Sequence, residues 1–176
     1  MNSKPPFIST RAMTPAVGRI AALLCLVLAG LAAPAMAQTQ VRPPSYGPAI
    51  QLESARKVAA AALAEAQKNG WTMAVAITNT SGDLVLFEKM DDTQSASGQI
   101  AIEKSRSASM FKRPTKVFGD MLAAGNTYLL GLANANPVEG GLPLIADGKV
   151  IGAIGASGGT GAQDGVVAKA GAEQFR

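Results

Sequence analysis

Apolar residues return at helical spacing between Leu52 and Lys68, where Leu52, Ala55, Val58, Ala59, Ala62, Leu63 and Ala66 share one face. Asn69-Gly70 supplies the left-handed stop, so this stretch predicts a helix. From Trp71 to Thr78 the period changes to two: Met73, Val75 and Ile77 alternate with the small residues Ala74 and Ala76. One face of such a strand fills a core, and the other is expected to let the alanine-rich helix approach closely. A turn at Thr80-Ser81-Gly82-Asp83 returns the chain into Leu84 to Met90 as an antiparallel hairpin.

Beyond a polar loop, Ser97 or Gly98 opens a second helix through Phe111, with Ile100, Ala101, Lys104, Ala108 and Phe111 on one side. Pro114 breaks it, and Thr115 is placed to cap a shorter helix through Ala124 that ends at Gly125-Asn126. Tyr128 to Ala133 reads equally as strand or helix, and Asn134 to Glu139 as loop. Leu142 to Ile145 and Val150 to Ala156 then form a second hairpin about a tight turn at Asp147-Gly148. A glycine-rich corner leads into a closing helix, Gln163 to Gln174. The order α-β-β-α-α-β-β-α, with hairpins in place of crossovers, predicts one α/β (α+β) domain whose antiparallel sheet is covered by helices.

The N-terminal pattern differs. Ile20 to Ala33 is a continuous apolar run preceded by Lys4, Arg11 and Arg19 and followed by Ala35-Met36-Ala37. Basic residues, a run too short to span a bilayer and an A-x-A site describe a secretory signal peptide, residues 1–37, cut after Ala37. The expected destination is periplasmic or secreted, with no stable membrane anchor afterwards. Residues 38–50, with Pro43, Pro44 and Pro48, read as an extended arm that is flexible unless it docks, and 51–176 as the folded domain.

Removing the leader leaves 139 residues and a net charge of +1, so the high overall pI belongs to the leader and gives no footprint for nucleic acid. The only cysteine, Cys25, departs with it, and the chain has no histidine. Ser-His-Asp and Cys-His catalysis, histidine-zinc sites and proximal-histidine haem are therefore excluded.

Chemistry is suggested in two places. The run Gly155-Ala156-Ser157-Gly158-Gly159-Thr160-Gly161 before a helix could cradle an anion on backbone N–H groups, or could simply be a corner whose glycines serve backbone geometry and subunit packing. Gly140-Gly141 carries the same two readings. The run from Gly155 to Gly161 is neither a Walker loop nor a G-x-G-x-x-G fingerprint. Lys104 is a cation on a small, apolar stripe, which calls for an acidic ligand in a pocket, an ion pair or an exit to water. Arg106, Lys112, Arg113 and Lys116 make its neighbourhood basic, which suits an acidic ligand or a solvated helix face.

Several motifs stand in a familiar order: Phe87-x-x-Met90-Asp91; Ala101-x-x-Lys104-Ser105-x-Ser107-Ala108-x-x-Phe111 with Pro114-Thr115; Gly140-Gly141-x-Pro143-Leu144; Gly148-x-Val150-Ile151-Gly152-Ala153-Ile154-Gly155-x-Ser157-Gly158-Gly159; and Gln163-Asp164. From about Leu52 to Phe175 they resemble the GlcG/HbpS-like family, also found at the C-terminus of PduO-type adenosyltransferases. The resemblance implies a profilin-like fold, self-association from dimer to octamer, and haem or another tetrapyrrole as ligand in several members. A sensor or uptake partner is implied for secreted members, and a neighbourhood of glycolate or diol metabolism for cytoplasmic ones.

On this reading the ligand contacts are Lys104, Phe111, Arg113, Gly140, Gly141, Gly155, Ser157 and Gly158. A tetrapyrrole would be held without histidine. The axial ligands left are Met73, Met90, Met110, Met121, Tyr46, Tyr128 or a lysine, and Glu88, Asp91 and Asp92 could share a hard cation or form a solvated turn. Two other functions stay open: an enzyme for a small hydroxy- or oxo-acid with Lys104 as electrophile or base, and a structural or sensory oligomer without a catalytic site.

Overall fold

The computed structural model describes residues 42–175; the leader, Cys25 and the first residues of the arm lie outside them. Helix α1 is Leu52–Lys68, strands β1 and β2 are Ala74–Thr78 and Leu84–Lys89, and helices α2 and α3 are Ser97–Phe111 and Lys116–Ala123. Strands β3 and β4 are Gly141–Ala146 and Lys149–Ser157, and helix α4 is Gly161–Ala172. The four strands form one antiparallel sheet in the order β2-β1-β4-β3, so each hairpin supplies one inner and one edge strand. Asp147 and Gly148 have φ of 47° and 71°, the two left-handed positions of the turn that joins β3 to β4.

Helices α1 and α4 cover one face of the sheet and α2 the other. The core lies on the first face, where Ala55, Val58, Ala59 and Val167 from the helices meet Met73, Val75, Ile77, Leu144 and Ile154. The expected partner of the small face is corrected here. Ala74 and Ala76 pack on Ala101 of α2, not on the alanine-rich α1. The cause is Gly155, which pairs with Ala76: a Cβ there would strike the carbonyl of Ala101 and the backbone nitrogen of Ser105. Only alanine and glycine leave room for a helix backbone that close.

Three serines fix α2 to its neighbours. The Ser105 hydroxyl donates to the carbonyl of Ala153 (3.0 Å) and lies 2.8 Å from the Thr78 hydroxyl, and Ser109 donates to the carbonyl of Asn79 (2.5 Å). Ser107 accepts the N–H of Asn136 (3.0 Å).

The arm is docked. Ser45, Gly47 and Ile50 exchange backbone hydrogen bonds with Val150 and Ile151, in the lane of β4 that β1 leaves free. The Tyr46 hydroxyl donates to the carbonyls of Ser109 and Met110 at 3.0 and 2.9 Å.

Two local expectations change. Thr115 stands at the start of α3, but its side chain caps nothing; its hydroxyl donates to the carbonyl of Val138 (2.7 Å) and accepts the N–H of Gly141 (2.9 Å). Helix α4 starts at Gly161 and not at Gln163, because Thr160 and Gln163 close a capping box ahead of it. The ambiguous stretch after α3 is a short 3₁₀ helix, Thr127–Gly131.

Candidate functional site

Lys104 is buried, 1% exposed. Its ammonium donates to Asp164 Oδ2 at 2.6 Å and to the carbonyl of Ala156 at 3.2 Å, so the ion pair is the arrangement found. Asp164 Oδ1 accepts the N–H of Gly159 at 3.0 Å. The anion cradled by the glycine-rich corner is therefore the chain's own carboxylate. Burial pushes the Asp164 carboxyl above the usual range, opposed by Lys104 and by the corner N–H groups. A substrate would have to displace this pair before Lys104 could serve it as electrophile or base.

Of the glycines named with Lys104, Gly140 touches the same pair. Gly140 has φ of 125°, and a Cβ there would press on the Ala156 carbonyl, Asp164 and the Lys104 ammonium. At Gly141 it would strike the carbonyl of Lys104, and at Gly158 the carbonyl of Thr72. With Gly155 under α2, all four are filled by this chain's own backbone. Ser157 is buried opposite Ala74. Phe111 stacks edge-on to Phe118, with ring centres 5.1 Å apart, and the Arg113 guanidinium lies 5.8 Å from the Phe118 ring centre. The sequence-named residues thus form a packing network, and Phe111 and Arg113 sit outside the ion pair.

Among the axial candidates, Met73 is core, Tyr46 uses its hydroxyl on α2, and Met110 and Tyr128 are exposed at separate places. Among the described residues, no three His, Cys, Asp or Glu side chains come together as a metal site; Glu88, Asp91 and Asp92 are exposed on β2 and the turn after it.

Among the described residues, two of the hollows are large enough to take a small ligand. The first runs along the free edge of β3, holds about 270 Å³, and has a floor of Leu142, Pro143 and Ile145 with Pro114 and Ala172 as walls. Lys112 and Lys169 stand at its sides. Lys112 is the left-handed C-cap of α2 (φ 53°) and its ammonium lies 4.9 Å from the Tyr46 ring centre, while Lys169 reaches Glu173 at 3.8 Å. The second holds about 310 Å³ between the outer side of α2 and residues 134–136. Sequence reading names Lys112 only as part of a basic run and omits Lys169, because the groove exists only once α2, β3 and α4 have met.

The family model for "Haem degrading protein HbpS-like" matches residues 50–173. Protein GlcG of Escherichia coli K12 is 40% identical over 108 residues, covering 61% of this chain and 81% of GlcG. Among solved structures, a double mutant of Streptomyces reticuli HbpS superposes with a TM-score of 0.69 at 28% identity, over 82% of this chain and 98% of that one. A PduOC:heme complex superposes with a TM-score of 0.65 at 25% identity, over 71% and 94%.

Proposed function

This chain belongs to the HbpS-like family, and on that premise we propose that it binds haem or a related tetrapyrrole in the β3-edge groove, as an assembly of identical copies. The observation that carries the reading is the pairing of an apolar floor, Leu142, Pro143 and Ile145, with two lysines in the same lining, Lys112 and Lys169, whose flexible stems can turn their ammonium groups to a carboxylate. A porphyrin presents an apolar ring with carboxylates at one edge, and these are the surfaces such a groove complements. The relative solved as a haem complex supports the choice of ligand.

The lining does not fit axial ligation. None of the groove residues carries an imidazole, thiolate, thioether or phenol. Binding therefore rests on ring burial and the carboxylates, and iron is not required for it. The groove's 270 Å³ lies at the low end of ligand-pocket volumes, about 300–1,000 Å³, so one copy covers only part of a macrocycle. Tyr128, Leu130, Leu132 and Val138, all exposed, offer apolar surface for assembly. Export to the periplasm or medium, from the leader at 1–37, completes the proposal.

Hemin and metal-free protoporphyrin titrated into protein starting at Gln38 test it. Both are expected to bind with a shifted Soret band, and Lys112→Glu with Lys169→Glu is expected to weaken both. No shift at tens of micromolar for either overturns the ligand, and a monomer in light scattering overturns the assembly. Sequencing the N-terminus of the protein recovered from a cell fraction tests export.

A further inference from the structure

The second hollow is unlike the first: its lining is polar and holds both signs of charge. Arg106 and Glu103 stand one helical turn apart on the outer side of α2, facing Asn134, Ala135 and Asn136. Glutamate three residues ahead of arginine is a pair that closes readily on a bare helix. Here neither makes an ion pair with any described residue. Each is drawn elsewhere. Arg106 Nε donates to the carbonyl of Gly82 at 3.2 Å, and its stem packs so closely on that turn that a Cβ at Gly82 would meet Arg106 Cγ at 2.9 Å. Glu103 Oε1 accepts from Gln99 Nε2 at 3.0 Å.

The separation leaves the terminal nitrogens of Arg106 and one oxygen of Glu103 without partners among the described residues, beside the same cavity. The opposite wall adds a donor. The backbone N–H of Asn136 is taken by Ser107 and its Oδ1 by the N–H of Val138, and its side-chain amide nitrogen meets no acceptor among the described residues. Asn134, left-handed at φ 64°, completes the lip.

We infer that this pocket binds a small zwitterion of the amino-acid class, with its carboxylate on Arg106 and Asn136 and its ammonium on Glu103. The planar guanidinium, fixed at Nε, presents its outer edge for a carboxylate, which is the geometry arginine recognises best. Glu103 sets the selectivity, since it repels a second negative charge and rewards a cationic neighbour of the carboxylate. The cavity of about 310 Å³ has room for a free amino acid. The site is separate from the β3 groove, so the two ligands do not compete.

Isothermal calorimetry with the standard L-amino acids, one at a time at millimolar concentration, tests the inference on the chain starting at Gln38. At least one is expected to give saturable heat and a raised Tm. Its 2-oxo acid, which lacks the ammonium, and its amide, which lacks the carboxylate, should each bind about tenfold more weakly, the scale of one charged hydrogen bond. Glu103→Gln, an isosteric change at an exposed position, should cost the amino acid the same factor and leave the oxo acid unchanged. Arg106→Lys should weaken both, with its fold checked by circular dichroism. The inference is overturned if no amino acid binds, or if Glu103→Gln binds the amino acid as well as wild type does. Hemin binding to Glu103→Gln should match wild type, so failure here leaves the groove reading standing.

Discussion

On the side of the sheet toward α1 and α4, Met73, Val75, Ile77 and Ile154 fill the interior with side chain. Toward α2, Ala74, Ala76 and Gly155 withdraw, and the backbone of α2 comes down to the strands. The first side holds by apolar area removed from water, a non-directional force that tolerates repacking. The second holds by contacts of fixed direction: three serine hydroxyls and the Thr78–Ser105 bond, with the Lys104–Asp164 pair tying α2 to α4 of the other side. Loss of a methylene is graded on the first side; on the second, one missing partner leaves a buried polar group alone.

Four single substitutions and one double change probe that contrast, each read by urea unfolding with Trp71 fluorescence at one protein concentration. Lys104→Ala leaves Asp164 buried without its cation and should cost about 3–5 kcal/mol. The double change Lys104→Met with Asp164→Asn, which keeps an acceptor for the Gly159 N–H, should recover part of that loss; if it is no more stable than Lys104→Ala, the uncompensated charge on Asp164 is not the cause. Met73→Ala, on the apolar side, should cost about 2–5 kcal/mol through transfer and cavity terms, and should be relieved by another side chain of similar volume. Gly155→Ala adds one methyl under α2 and should cost about 1–3 kcal/mol, although alanine is better than glycine in a strand. A neutral result there would mean that α2 can lift off the sheet. Thr160→Ala, which removes the capping box of α4, should cost about 1 kcal/mol.

Much of this was open to reading in the chain itself, for identifiable reasons. The stop at Asn69-Gly70, the turn at Asp147-Gly148 and the change from helical to alternating period are local signals, and α1, both hairpins and α2 follow from them. Lys104 could be picked out as a cation on an apolar stripe. Its partner could not, because Asp164 is brought to it only when α4 folds back over β4. Thr115 illustrates the same limit: its position suits a cap, yet Gly141 and Val138 take its hydroxyl from another part of the chain. The face of β1 that α1 covers was equally hidden, since alanine at 74 and 76 admits any close helix and only Gly155 across the sheet decides which. Arg106 reads as one more basic residue until Gly82 and residues 134–136 are seen on either side of it.

The position of β4 also sets a schedule for making the protein. Ala74 pairs with Ser157 and Thr78 with Ala153, so β1 waits for its inner neighbour until the penultimate element has left the ribosome. Pairings that distant in sequence form slowly and leave strands open in the interval. Until then the first hairpin stands with both edges unpaired, its Val75 and Ile77 without the cover of α4, and the docked arm without the lane it occupies. A chain interrupted before Lys149 is consequently a sticky fragment, whereas one shortened ahead of Leu52 keeps every strand of the sheet.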